Sequence, residues 1–154
     1  MPFTPKEISY MRSQGYGRLA TVGPNGEPHN VPVSFQLDDG NGVIEITGRN
    51  MGRSQKYRNV LANDRIAFVV DDIPCRDPEV VRAVVVHGRA RALTTGGKAR
   101  RPHCDEEMIA IRPLRIISWG IEGDLSTGAH SRRIASEETV KAEKTEKAEE
   151  GARR

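Results

Sequence analysis

The sequence predicts an antiparallel β-barrel or closed sheet carrying two short helices, on three observations. About six strand-like runs follow one another, most of them joined by short turns rich in Gly, Pro, Asn and Asp. One run alternates cleanly, with Val31, Val33, Phe35 and Leu37 on one face and Asn30, Pro32, Ser34 and Gln36 on the other. Helical spacing is confined to two short stretches, too little to cover both faces of a doubly wound sheet.

In order along the chain, Thr4-Pro5-Lys6-Glu7 is a capping box with proline at the first helical position. A helix should run to about Gln14, with Ile8 and Met11 facing inward and Gly15 ending it. Residues 17–22 form a strand, and Gly23-Pro24-Asn25-Gly26 a tight turn. In the alternating strand that follows, Pro28 and Pro32 lack ladder donors, so part of it should lie at an edge or beside a bulge. Backbone groups without a strand partner there are free to meet a ligand or a second subunit. After the turn at residues 38–42, residues 43–47 and 66–70 read as strands, with a short helix between them. The run Asp71-Asp72-Ile73-Pro74 breaks the pattern, and residues 75–79 read as loop. Residues 80–93 form a long strand with Gly88 as a bulge or kink. Residues 94–107 lack a period and carry the basic cluster Lys98, Arg100 and Arg101. Residues 108–119 are a strand pair or one strand kinked at Pro113. The organisation expected is one barrel domain over 1–135 and a charged tail over 136–154, disordered or a solvated helix.

At 154 residues the chain suits one domain with a modest core. Its apolar share of 36% is low; part of the deficit lies in the charged tail, and part fits a core completed across a dimer interface. Residues 137–154 hold six acidic and five basic side chains; since the whole chain carries +3, the body before them carries about +4 and favours anionic ligands. Cys75 and Cys104 lie far apart and outside any C-x-x-C, which argues for a reducing compartment and against a disulfide scaffold or zinc site. With no signal-peptide pattern and no apolar run long enough to span a bilayer, the expected location is the cytoplasm. Scarce aromatics and no helix-turn-helix leave nucleic-acid binding resting on a high isoelectric point alone.

The chemistry concentrates in one stretch. Between strands 43–47 and 66–70 lies a Gly- and Arg-rich loop ending in Ser54-Gln55-Lys56. Ser54 is a candidate N-cap, and Tyr57, Val60 and Leu61 follow at helical spacing. A helix start carries unpaired N–H groups and partial positive charge, which suit a phosphate. Lys56 opposes that dipole unless an anion offsets it, and Arg49 and Arg53 add charge. Many small domains hold a basic loop before a helix and bind nothing there, and neither a Walker loop nor G-x-G-x-x-G is spelled out. His103-Cys104-Asp105-Glu106 are adjacent and cannot readily converge on one metal, so no metal site is expected.

Gly17-Arg18-Leu19-Ala20-Thr21-Val22, its turn, and Pro28-His29-Asn30-Val31-Pro32-Val33 resemble the opening of the split β-barrel flavoenzymes related to pyridoxamine 5′-phosphate oxidase. Ile46-Thr47-Gly48, Ser54-x-Lys56-x-x-Asn59-Val60, Asn63-Asp64-Arg65-Ile66-Ala67 and Val86-x-Gly88-x-Ala90 continue the resemblance in order. Ile116-Ile117-Ser118-Trp119-Gly120 is similar to the end of the branch that uses the deazaflavin coenzyme F420. The likeness covers roughly residues 10–120.

This resemblance implies a six-stranded FMN-binding split barrel that forms homodimers with two interfacial cofactor sites. The tricyclic ring would lie against Val31, Pro32, Val33 and Ser34, with Thr47 and Gly48 also among the cofactor contacts. Ser54 and Lys56 would hold the phosphate, with Asn59 nearby and Arg53 a further carry-over; Trp119 would cover the site from the other subunit. The implied reaction is hydride transfer between reduced deazaflavin and a small organic acceptor, whose pocket residues 73–82 and 94–107 would shape. No catalytic acid or base is assigned, because His29, His87 and Tyr57 each have a structural reading. An FMN-dependent oxidase or reductase is the competing enzyme, and a flavin or haem carrier without turnover is the non-enzymatic alternative. Arg49, Arg53 and Arg58 favour the long polyglutamyl tail of coenzyme F420.

Overall fold

The computed structural model describes residues 1–123 and 128–134, so the expectation for the tail lies outside the described residues. The elements are α1 (Pro5–Ser13), β1 (Tyr16–Val22), β2 (Pro28–Leu37), β3 (Ile44–Ile46), α2 (Gln55–Ala62), β4 (Arg65–Arg76), β5 (Glu79–Leu93), α3 (Gly97–Arg100), β6 (Met108–Trp119) and β7 (His130–Arg133). All the strand pairs are antiparallel, in the order β3-β2-β1-β4-β5-β6-β7, and a further β3–β6 pairing closes the first six strands into a barrel.

Closure is incomplete by design of the register. β3 pairs with β2 only through Phe35, Gln36 and Leu37, and with β6 only through Ile109, Ala110 and Ile111. The rest of β6 takes β7 as its neighbour, over Arg115 to Ser118. Residues 28–34 of β2 therefore pair on one side alone, with β1. Pro28 and Pro32 fall in this one-sided segment, where a missing N–H leaves no ladder bond broken.

Inside, Phe35 meets Phe68 edge-on, with ring centroids 5.2 Å apart. Gly17 makes room for that pair: a Cβ there would stand 2.2 Å from the Phe68 ring. Gly88 sits at the expected bulge, where the β5–β6 register shifts from His87↔Arg115 to Gly88↔Pro113, leaving Leu114 as the extra residue. A Cβ on Gly88 would lie 2.4 Å from the Arg112 carbonyl oxygen, so the close approach of backbones requires glycine. Residues 108–119 are thus one strand, with Pro113 placed at its irregularity.

The helices plug opposite ends. α1 begins with the expected capping box and ends at Gln14, with Met11 fully buried. Its Tyr10 reaches Asp72 and Arg82, and its Glu7 reaches Ser118, all at the end where β6 finishes. α2 lies at the other end, where Tyr57 donates to the carbonyl of Leu93, next to the start of β6. Of the three residues at helical spacing, Tyr57 and Val60 are buried while Leu61 is 65% exposed, because Asn59 completes the buried face.

Three further features depart from expectation. Only residues 77–78 of the expected 75–79 loop are a turn: β4 runs on to Arg76, and β5 returns from Glu79 to pair with it as a two-stranded arm. The barrel gains a seventh strand, β7, and residues 97–100 of the basic segment form α3, from which Arg100 grips the buried Glu45 of β3 at 2.7 and 2.8 Å. Finally, Glu7, which reads as a cap residue, is fully buried and held by Ser118 at 2.7 Å and by both ends of the Arg132 guanidinium.

Burial alone would raise the Glu7 pKa, but the hydrogen bonds from Arg132, Thr4 and Ser118 outweigh it and hold the carboxyl below its usual range. A depressed folded value means the stability Glu7 contributes is present above its unfolded pKa of about 4.3 and is lost as pH falls through the folded value. Glu7→Gln removes the buried carboxylate that grips Arg132 and should lower stability by about 3 kcal/mol at neutral pH. Thermal melts between about pH 6 and about pH 3 should show wild type losing stability in acid more steeply than the variant.

Candidate functional site

Where β3 ends, the chain turns through Asn50 in the left-handed region (φ 54°) and a short helical turn over Met51–Arg53. Met51 is fully buried and its N–H donates to Asp105 Oδ2 at 3.1 Å, while the Asp105 N–H donates to the Gly48 carbonyl at 3.1 Å. This double tie fixes the loop before α2. Ser54 is the N-cap: its hydroxyl accepts from the Tyr57 N–H at 3.4 Å and donates to the Met51 carbonyl at 2.6 Å. Asn59 is buried and donates to Thr21 Oγ1 at 3.0 Å while accepting from Gln55 Nε2 at 2.7 Å. Those bonds pin α2 to β1, and they occupy the Asn59 amide. Asn59 lies in the second turn of the helix that Ser54 caps, a loop-to-helix corner with Lys56 in its first turn (hereafter the cradle), and its amide is already committed to the fold.

Lys56 differs from its neighbours. It is half-buried, burial alone pushes its pKa down, and it has no hydrogen bond or ion pair among the described residues. A partly desolvated ammonium without a counter-charge is unfavourable, and an anion at this spot relieves it. Arg53 stands elsewhere: it is exposed and lines a cleft of about 320 Å³ shared with Asp105 and Glu107. Carboxylates make that side of the loop a poor place for phosphate. The loop thus has an acidic side and a cationic side, and Lys56 marks the second.

Thr47, 5% exposed, directly follows β3, and its Oγ1 is buried without a partner among the described residues. Its neighbour Gly48 is tied through its carbonyl to Asp105. On β2, Val33 is buried and Val31 half-buried toward the core, whereas Pro32 is exposed and Ser34 partly so on the outer face. These four residues sit in or beside the one-sided edge of β2. Trp119 is not with them. Leu93↔Met108 marks the α2 end of the barrel, and Trp119 lies about 35 Å further along β6. One chain cannot bring Trp119 to the Lys56 cradle.

Two buried orphans fit a ligand along this edge: Thr47 Oγ1 and His29 Nδ1, the latter on β2 opposite Thr21. The fit is chemical: an unpaired cation for a phosphate, unpaired polar atoms for hydroxyls or ring heteroatoms, and a strand edge for a flat ring. Among the described residues, no group of three His, Cys, Asp or Glu could hold a metal.

A family model described as pyridoxamine 5′-phosphate oxidase matches residues 4–119. Over 138 residues the chain is 72% identical to a 5a,11a-dehydrotetracycline/5a,11a-dehydrooxytetracycline reductase of Streptomyces rimosus, covering 90% of this chain and 97% of that one. Among solved structures, a heme binding protein of Mycobacterium smegmatis aligns with a TM-score of 0.62 at 17% identity, over 83% of this chain and 56% of its own. A FAD binding protein of the same organism aligns at 0.57 and 18% identity, over 86% and 98%. Identities this low show a shared fold and nothing finer.

The sequence offered little to reveal Asp105 as the residue that pins the Met51 loop, because 54 positions separate the partners. The same holds for Asn59 and Thr21, 38 positions apart. Asn59→Ala strips the Thr21 hydroxyl and the Gln55 amide of their partner, and urea denaturation should show a loss of about 1–3 kcal/mol. A loss below about 0.5 kcal/mol would mean that the Asn59 bonds do not hold α2 in place.

Proposed function

The chain belongs to the pyridoxamine 5′-phosphate oxidase family, and on that premise we propose that it is an F420-dependent reductase of an electron-poor, conjugated C=C bond in a fused-ring acceptor of the dehydrotetracycline type. The observation that carries the reaction is the 72% identity to a dehydrotetracycline reductase across nearly the whole of both chains. The cofactor's position rests on Lys56, a half-buried cation without a partner among the described residues.

When bound, a reduced deazaflavin supplies a hydride to the acceptor's conjugated C=C, and a proton completes the reduction. The chain's part is placement. Lys56 would neutralise the phosphate, with the N–H groups of the first turn of α2 that Ser54 leaves uncapped available to hydrogen-bond it. Ser54 orients that helix start through its cap, and Asn59 holds the helix against β1. Thr47 offers its unpaired hydroxyl. The edge of β2 around Val31, Pro32, Val33 and Ser34 supplies backbone groups and a flat wall. No side chain is assigned as an acid or base.

A second copy completes the site. Trp119, remote from the cradle of its own chain, reaches that of a partner only in a homodimer. The outer face of the sheet suits such a partner: Val69, Val85 and Ile117 stand in cross-strand register there, partly exposed and apolar. Cys75 and Cys104 are free, which agrees with a cytoplasmic place of action. No helix among the described residues is long and apolar enough to cross a membrane.

Fluorescence titration with coenzyme F420 against FMN tests the cofactor. Tight FMN binding with no deazaflavin signal would transfer the proposal to an FMN-dependent reductase of the same fold. Lys56→Ala should weaken cofactor binding by about 1.5–3 kcal/mol, roughly ten- to 150-fold in Kd. Unchanged affinity in that variant rejects the phosphate assignment.

A further inference from the structure

The β4–β5 ribbon outruns the barrel. β1 leaves β4 at Arg18↔Val69 and β6 leaves β5 at Ala83↔Trp119, yet β4 and β5 stay paired through Asp72↔Arg82, Cys75↔Val80 and Arg76↔Glu79. Residues 73–79 are all exposed. Between Asp72 and Cys75 the register shifts, so that Ile73 and Pro74 together oppose Val81.

The root of this arm is clamped. Arg82 grips both oxygens of Asp72, at 3.0 and 2.6 Å, and its guanidinium lies 5.0 Å over the Tyr10 ring. The Tyr10 hydroxyl lies within hydrogen-bond distance of Asp72 Oδ1, at 3.0 Å, and of the Arg82 carbonyl, at 3.2 Å. α1 therefore sets the angle at which the arm leaves the barrel.

Side-chain alternation sorts the two faces. Asp72 and Arg82 face Tyr10, so Val81 and Ala83, with Trp119 across from Ala83, lie on the other face. Ile73, next after Asp72, falls on that second face as well. It is 43% exposed, and Val81 and Trp119 are partly exposed. An isoleucine, a valine and a tryptophan thus form a short apolar shelf. Val81 and Ala83 are only about 7 Å apart along the strand. That span suits a few fused rings, and the shelf continues the outer face of Val85 and Ile117, so it lies at the margin of the surface offered to the second copy.

We propose that this shelf is the acceptor-binding wall of the site: the arm of one copy, carried with Trp119 toward the cradle of the second copy, takes the flat face of a fused-ring acceptor on Ile73, Val81 and Trp119. The proposal rests on the two-copy site described under the proposed function. Tyr10, Asp72 and Arg82 are positioning residues for the shelf, and Ile73 and Val81 determine specificity.

The test uses the full-length protein with Ile73→Ser and Val81→Ser, both away from the cradle. Each should raise KM for a dehydrotetracycline about tenfold. Deazaflavin affinity, oligomeric state by light scattering and KM for a one-ring enone should each stay within about twofold. An unchanged KM for the tetracyclic acceptor with cofactor binding intact overturns the shelf, as do equal rises for both acceptors. If wild type binds no deazaflavin, the cofactor reading fails by itself. Titration of the tetracyclic compound's own fluorescence then decides the shelf: weaker binding to Ile73→Ser supports it, and equal binding overturns it.

Discussion

A barrel of six strands must bring two non-neighbouring strands together, and β3 does so with only Ile44, Glu45 and Ile46. All three are buried, Ile44 and Ile46 fully, and each pairs on both sides. Glu45 would be a costly tenant of such a strand without the guanidinium of Arg100. Because this bridge is so short, β2 below it and β6 above it are left without each other. The lower part of β2 keeps one edge open, and β6 takes β7 instead. The open edge is the consequence of closing a six-stranded sheet with a strand of three.

That geometry separates what holds the barrel from what it offers to ligands. At one end α2 is tied to β1 by Asn59 and to β5 by Tyr57, so its start is a fixed point for charge. The polar groups that fix it are used up in doing so: the Ser54 hydroxyl, the Asn59 amide and the Asp105 carboxylate all have partners within the fold. Lys56, Thr47 Oγ1 and His29 Nδ1 have none among the described residues. Groups that satisfy one another build the scaffold, and groups left unsatisfied in partial burial point to what comes from outside.

At the other end, α1 acts as a plug and a bracket. Its buried Glu7 draws β6 and β7 together through Ser118 and Arg132, and Tyr10 braces the root of the arm. The helix that looks like an N-terminal appendage thus sets where β7 sits and how the arm leaves the barrel. Trp119 lies at this end, at the opposite end of β6 from the start of α2.

Much of the local structure was legible from residue order. The Thr4 capping box, the alternation of β2, the Gly88 bulge and the Ser54 cap before Lys56 are each set by contacts within a few positions, where side-chain period and turn chemistry act directly. Edge character in β2 was legible too, because proline cannot donate wherever the strand is placed. The arm was hidden, since Pro74 and the surrounding acids and arginines erase the alternation by which a half-buried strand announces itself, and a ribbon exposed on both faces has none. The inward turn of Glu7, the outward turn of Leu61 and the occupation of Asn59 were decided by the tertiary structure alone. Each depends on a partner tens of positions away or on which helix face meets the barrel, and closing the sheet selects those juxtapositions where local propensity does not.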